Sequence, residues 1–106
     1  MNNSWKVTCI GTVVEVSYLS TDKTGRDERG LSTLTVAPET IEAEVEGVSF
    51  GPTLDFDMDR DRLEHRLRKA PAVGDRLHLT GTCTGVRPRN ARIDTVKLLT
   101  TTETSR

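Results

Sequence analysis

The sequence predicts a single all-β domain, a small closed barrel of five strands with one helix between the third and fourth. Thr occurs 16 times among 106 residues, whereas Trp and Tyr occur once each. A chain rich in Thr and Val and poor in aromatic residues favours strands. Apolar and polar residues also alternate over several short segments, which is the period of a half-buried strand. The chain length matches that of one ordinary domain.

The first predicted strand, residues 5–20, changes its apolar face partway along. Odd-numbered residues are apolar from Trp5 to Cys9, whereas even-numbered residues are apolar from Val14 onward. A strand of period two needs an extra residue or a sharp bend to make this change. Gly11 lies between the two halves and can supply the bend. A long first strand bent at a glycine is what a small closed barrel requires.

Two more strands are predicted around a proline turn. A polar loop at residues 21–30 leads to the second strand, residues 31–37, and then to a turn at residues 37–40, where Pro38 suits the second position. The third strand, residues 41–46, alternates cleanly. Its two faces comprise Ile41, Ala43 and Val45 on one side and Glu42, Glu44 and Glu46 on the other.

One helix is predicted after a segment whose structure stays open. Residues 47–58 contain a Gly-Pro turn and end in an alternation that is compatible with a short extra strand. Asp59 is a good N-cap, because Met58 and Leu63 are placed to form a hydrophobic staple around it. Pro71 ends the helix by about the residue before it.

Residues 73–84 and 91–100 complete the predicted domain as its fourth and fifth strands. The inward set of the fourth strand is Leu77, Leu79, Gly81 and Cys83. In the fifth strand the apolar positions change from odd to even numbers near Asp94, which indicates a bulge. The domain therefore covers residues 1–100, and residues 101–106 are expected to form a disordered tail.

This order of elements, with its glycine-bent first strand, resembles the OB-fold, a five-stranded Greek-key barrel. Two stretches carry the likeness: VTCIGTVVEV at residues 7–16 and VGDRLHLTGTCTG at residues 73–85. Together they are similar to the small bacterial OB domains grouped as tRNA-anticodon-like nucleic-acid-binding folds. Another small β-barrel, of the SH3-like kind, is the alternative.

The resemblance implies a small binding module that takes single-stranded DNA or RNA. OB-folds bind on the face of strands 2 and 3, beside the loops that join strands 1–2 and 4–5. Arginine forks suit phosphate, and exposed aromatic rings stack on bases. The candidate residues are Arg87, Arg89, Arg92, Lys23 and Arg26 for phosphate and Phe50 for stacking. We therefore expect weak, salt-sensitive binding through the 4–5 loop.

A second function stays open because acidic residues concentrate in the first half of the chain. Residues 1–57 carry four basic and ten acidic side chains, whereas residues 58–106 carry eleven and six. On the predicted third strand, Glu42, Glu44 and Glu46 would follow one another at about 7 Å and repel phosphates. Such a face suits a basic protein partner, so a protein-interaction or assembly module is the alternative.

Catalytic, metal-binding and membrane functions have no support in the sequence pattern. No motif pairs a nucleophile with a base. The run of aspartates from Asp55 to Asp61 lacks the Gly and Glu of an EF-hand loop, and we interpret it as carboxylates at a helix N-terminus. No apolar run reaches membrane-helix length, and no signal peptide is evident. We therefore expect a cytoplasmic protein that is not an enzyme and holds no metal or cofactor.

The two cysteines fit no disulfide framework. Cys9 and Cys83 both occupy strand positions that are predicted to face inward. They lie on the first and fourth strands, which pair in an OB barrel. We expect reduced, buried thiols that lie near each other and serve only packing.

Overall fold

Five strands and one helix make up the described structure, a computed structural model that covers residues 4–19, 30–85 and 90–100. In chain order they are β1 (Ser4–Leu19), β2 (Leu31–Ala43), β3 (Leu54–Asp59), α1 (Arg60–Leu67), β4 (Arg76–Thr84) and β5 (Asn90–Thr100). The strands close into a barrel in the order β1-β2-β3-β5-β4. Only the β3–β5 pair is parallel. This confirms the predicted fold class and is consistent with an OB-like barrel.

β1 closes the barrel because it pairs with β2 on one side and with β4 on the other. At Gly11 the neighbouring strand passes very close. A Cβ atom on Gly11 would lie 2.6 Å from the carbonyl oxygen of Ala37 and 2.6 Å from Cγ1 of Val36. Glycine is therefore required here by the approach of β2. Gly11 does not have a positive φ, unlike four other glycines among the described residues, so its backbone conformation does not itself require glycine.

The change of inward face along β1 falls at Val14, and its assignment to Gly11 was wrong. The β1–β2 register skips Val14, which makes it the extra residue of a β-bulge. Val14 is 45% exposed and Tyr18 is 44% exposed, although both were predicted to face inward. Val16, beyond the bulge, packs against the core as predicted.

The predicted turn at residues 37–40 does not exist, and the predicted second and third strands are one strand. β2 continues through Pro38, which lies opposite Gly11 beside a register shift. Among the described residues, the pairing of β3 with β2 ends at Val36. At Pro38, β2 is therefore paired with β1 on one side and, within the described part of the chain, has no strand on the other. Proline is tolerated at such edge and bulge positions. The third strand of the barrel is instead β3, from the segment left open.

Helix α1 begins as predicted and ends early. The carboxylate of Asp59 caps it by accepting a hydrogen bond from the Arg62 amide at 3.2 Å. Its buried side chains are Leu63 and Leu67. The helix stops at Leu67, three residues before the expected end, because Arg68 adopts a left-handed conformation with φ of 64°. The Arg68 amide then donates to the Glu64 carbonyl at 2.7 Å, a common way to end a helix.

The second half of the barrel follows the sequence prediction closely. All four predicted inward residues of β4 are buried: Leu77, Leu79, Gly81 and Cys83. The β4–β5 register skips Asp94, which confirms the predicted bulge. The core joins these residues to the inner faces of β1, β2 and β3, with Phe56 its largest fully buried side chain.

Both cysteines are free and buried, as predicted, but they are not neighbours. Cys9 lies opposite Leu79 on β4, whereas Cys83 lies opposite Trp5 on β1. The two thiols are thus four residues apart along the ladder, a distance of about 13 Å at the usual rise per residue. Burial raises the pKa of Cys9 to about 11, with a smaller contribution from the charge of Glu39. Burial also raises the pKa of Cys83 to about 11.

Candidate functional site

The outer face of β2 and β3 is acidic, through residues that the sequence analysis had placed elsewhere. Asp55 and Asp57 project outward from β3, opposite Thr35 and Thr33 of β2. Each threonine hydroxyl donates to its aspartate, at 2.8 Å for Asp55 and 2.7 Å for Asp57. Glu15 of β1 continues the row beside Thr35. These two aspartates therefore belong to a sheet face, and their assignment to a helix N-terminus was wrong.

A surface pocket of about 330 Å³ opens at one end of this face, where β2 begins, β3 ends and α1 begins. We call it the corner pocket. Its lining residues are Leu31, Asp57, Met58, Asp59, Arg62, Arg92 and Ile93. Leu31 is the first residue of β2, and Arg92 is the third residue of β5. The pocket thus lies where these two strands begin, and it combines an apolar part with charges of both signs.

Two arginines give the corner pocket its capacity to bind an anion. Arg62 from α1 and Arg92 from β5 are both exposed, and neither side chain forms an ion pair within the described part of the chain. Four other basic side chains are already paired: Lys6 with Asp94, Arg60 with Glu64, Lys69 with Asp75, and Arg76 with Glu39. A guanidinium group presents several donors in one plane and so suits phosphate or carboxylate.

The acidic residues of the corner pocket are held by hydrogen bonds from neutral groups. Both carboxylate oxygens of Asp57 accept from the Asn90 amide, at 3.1 and 3.0 Å, and one also accepts from Thr33. The carboxylate of Asp59 caps α1. Within the described residues neither carboxylate pairs with the side chain of Arg62 or Arg92, so both guanidinium groups are available for a ligand, in a pocket that holds two carboxylates and two guanidinium groups.

The predicted phosphate-binding residues divide into two groups. Arg92 lines the corner pocket, on the side of the predicted 4–5 loop. The other four, Lys23, Arg26, Arg87 and Arg89, lie outside the described residues. Arg62 also lines the pocket and was not predicted, because it lies in a helix of mixed charge, RDRLEHRL, in which no single arginine stands out. The signal that could have found it was the N-cap, which places Arg62 in the first turn beside the end of β3.

The aromatic residues do not form a stacking platform on the described surface. Phe50 is half-buried and packs edge to face on Trp5, with ring centroids 6.1 Å apart. The Trp5 indole N–H donates to the Gly85 carbonyl at 2.7 Å. Tyr18 is the exposed ring, and the guanidinium of Arg60 lies 4.0 Å from its centroid, so one face of the ring is already covered.

The predicted stripe of three glutamates is not a strand face. Only Glu42 lies on a strand, outward on β2, whereas Glu44 and Glu46 follow the end of β2 in a bend. The Glu44 carboxylate accepts a hydrogen bond from the Lys6 amide at 2.8 Å. The three side chains are exposed, but they do not occupy the third strand.

The described residues hold neither a membrane-spanning helix nor a cluster of metal ligands. No helix within residues 4–19, 30–85 and 90–100 has the length and apolar character needed to cross a bilayer. The same residues contain no group of three or more His, Cys, Asp or Glu side chains that could hold a metal ion.

Comparison of the chain with protein-family models, with curated proteins and with solved structures found no match.

Proposed function

We propose that this chain is a non-catalytic, cytoplasmic OB-fold module that binds single-stranded DNA or RNA weakly, at the corner pocket and the adjoining 4–5 loop. The observation that carries the proposal is the convergence of Arg62 and Arg92, both without an ion pair in the described structure, on one pocket. The strand order and the helix between β3 and β4 support the OB-fold assignment. OB-folds bind ligands beside the loops that join strands 1–2 and 4–5.

The chemistry of the pocket suits a nucleotide held mainly by its phosphate. Arg62 and Arg92 supply the donors for phosphate oxygens, and the side chains of Leu31, Met58 and Ile93 supply an apolar surface for a sugar or base edge. With no free aromatic platform on the described face, stacking contributes little. Most of the binding energy then comes from phosphate contacts, which makes affinity low and strongly dependent on salt.

The direct test compares Arg92→Gln with Lys97→Gln in a titration against fluorescent oligonucleotides of DNA and RNA at low and moderate salt. Both residues are exposed on β5, so the variants remove the same charge from the same strand. Arg92→Gln should weaken binding about tenfold, which corresponds to about 1.4 kcal/mol. Lys97→Gln should change it little. Arg87→Ala combined with Arg89→Ala should weaken binding further. Equal effects of Arg92→Gln and Lys97→Gln would place the site elsewhere.

A protein-interaction module is the second candidate, and the outer face of β2 and β3 favours it. Glu15, Asp55 and Asp57 lie on neighbouring strands of that face, and Glu42, Glu44 and Glu46 add carboxylates near the end of β2. A basic protein partner would meet complementary charge there. Replacing Asp55 with Asn strengthens oligonucleotide binding under the first function and weakens partner binding under the second, so this single variant separates the two.

A further inference from the structure

Helix α1 carries different charges on the two sides of its buried leucines. At 3.6 residues per turn, Arg62 and Arg66 lie on one flank of the buried leucines, and Glu64 lies on the other. Glu64 is engaged by Arg60, whose Nε lies 3.2 Å from its carboxylate. His65 points away from the barrel, between the two flanks. One flank of the helix is therefore a basic stripe, although the helix as a whole has mixed charge.

The basic stripe leads away from the corner pocket. Arg62 lines that pocket, and Arg66 lies one turn further on, with about 6 Å of rise between them. Beyond it, a shallow depression of about 570 Å³ is lined by His65, Arg66 and Arg68. The side chains of Arg62, Arg66 and Arg68 form no ion pair within residues 4–19, 30–85 and 90–100. Arg92 and Arg62 thus line the corner pocket, and Arg66 and Arg68 line the next depression, which places four cations between β5 and the end of α1.

On its other side the corner pocket adjoins the outer face of β2 and β3, whose carboxylates disfavour an anionic chain. Away from the pocket, the face of β2 and β3 that OB-folds ordinarily use carries Asp55, with Glu15 on the next strand. Like charges repel phosphates there. In the corner pocket, by contrast, Asp57 and Asp59 lie beside Arg62 and Arg92. From this contrast we infer that a bound single strand leaves the corner pocket over α1, with successive phosphates on Arg92, Arg62 and Arg66. The inference rests on the proposed function and specifies the path of its ligand.

Oligonucleotide length is the variable that tests this path. A fluorescent oligothymidylate of about four nucleotides fills little beyond the corner pocket, whereas one of about twelve reaches along α1; both lengths fall within the ~4–16 nucleotides that OB-folds bind. The variant is Arg66→Gln, which keeps a good helix former at an exposed position. Lys97→Gln is the control of matched charge. Unchanged melting temperatures establish that both variants fold.

Arg66→Gln should weaken binding of the long oligonucleotide about threefold to tenfold and change that of the short one less than twofold. The slope of log affinity against log salt for the long oligonucleotide should fall by about 0.7, the value for one phosphate contact on a single strand. Lys97→Gln should leave both affinities unchanged.

Two outcomes would overturn the inference, and they are distinguishable. If the long oligonucleotide depends on Arg92 but responds equally to Arg66→Gln and Lys97→Gln, the path over α1 is wrong while the proposed function stands. If neither oligonucleotide binds in a manner that depends on Arg92, the proposed function fails and the path fails with it.

Discussion

Replacing Gly11 with Ala should destabilise the barrel, because β2 leaves no space for a side chain. The new Cβ would lie 2.6 Å from the Ala37 carbonyl oxygen, 2.6 Å from Val36 Cγ1 and 2.9 Å from Pro38 Cα. Two of these atoms belong to the backbone, so the strands themselves must separate. Overpacking in a well-packed site costs about 1–3 kcal/mol, and we expect about 2 kcal/mol here.

Thermal unfolding followed by circular dichroism measures this effect. A loss of about 2 kcal/mol lowers the melting temperature of a domain of this size by roughly 8–16 °C. Gly51→Ala is the matched control, because its Cβ would meet only the Thr53 carbonyl oxygen at 3.9 Å. Adding Val36→Ala to Gly11→Ala should recover part of the loss relative to the sum of the single variants, since one of the three close contacts then disappears. An unchanged melting temperature for Gly11→Ala would refute the close approach of β1 and β2.

Three further predictions concern stability. The pKa values of Cys9 and Cys83 are raised to about 11, so the folded state holds the thiol protons more tightly than the unfolded state does. The free energy of unfolding therefore keeps its full value below about pH 9. It falls by about 1.4 kcal/mol per pH unit per thiol between pH 9 and 11. Urea unfolding should show a shallower alkaline loss when both are Ala. Lys69→Met should cost about 2 kcal/mol by chemical denaturation, because it leaves the fully buried Asp75 carboxylate without its cation. Oδ2 of Asp75 would then keep only the Ala72 amide as a donor, and Oδ1 has no hydrogen-bond partner among the described residues. The value lies below the ~3–5 kcal/mol of a fully buried pair since Lys69 is 30% exposed. A double variant with Asp75→Asn should lose less than the sum. Arg68→Gly should raise stability by about 1 kcal/mol, because glycine relieves the left-handed conformation, and a lower melting temperature would contradict this.

Local patterns in the sequence were sufficient for the fold class, for the second half of the barrel and for the start of the helix. Strict alternation determines which residues of β4 face inward, because only one register buries them all. The bulge at Asp94 could be predicted because parity changes there with no other explanation. The Asp59 cap could be predicted because N-capping is a contact between residues three apart in the chain.

What the tertiary structure decided concerns contacts between residues distant in the chain. Pro38 looks like a turn residue, and only the pairing of β2 with β1 at Gly11 shows that a strand passes through it. That error moved the third strand, so the acidic face was assigned to glutamates near the end of β2 and not to Asp55 and Asp57 on β3. The corner pocket could not be predicted from local sequence patterns, because it too depends on contacts between residues distant in the chain. Arg62 and Arg92 are 30 residues apart in the sequence and meet because barrel closure brings β5 beside β3, where α1 begins. Local periodicity specifies which side of each strand is buried, and the closing of the barrel decides which exposed side chains become neighbours.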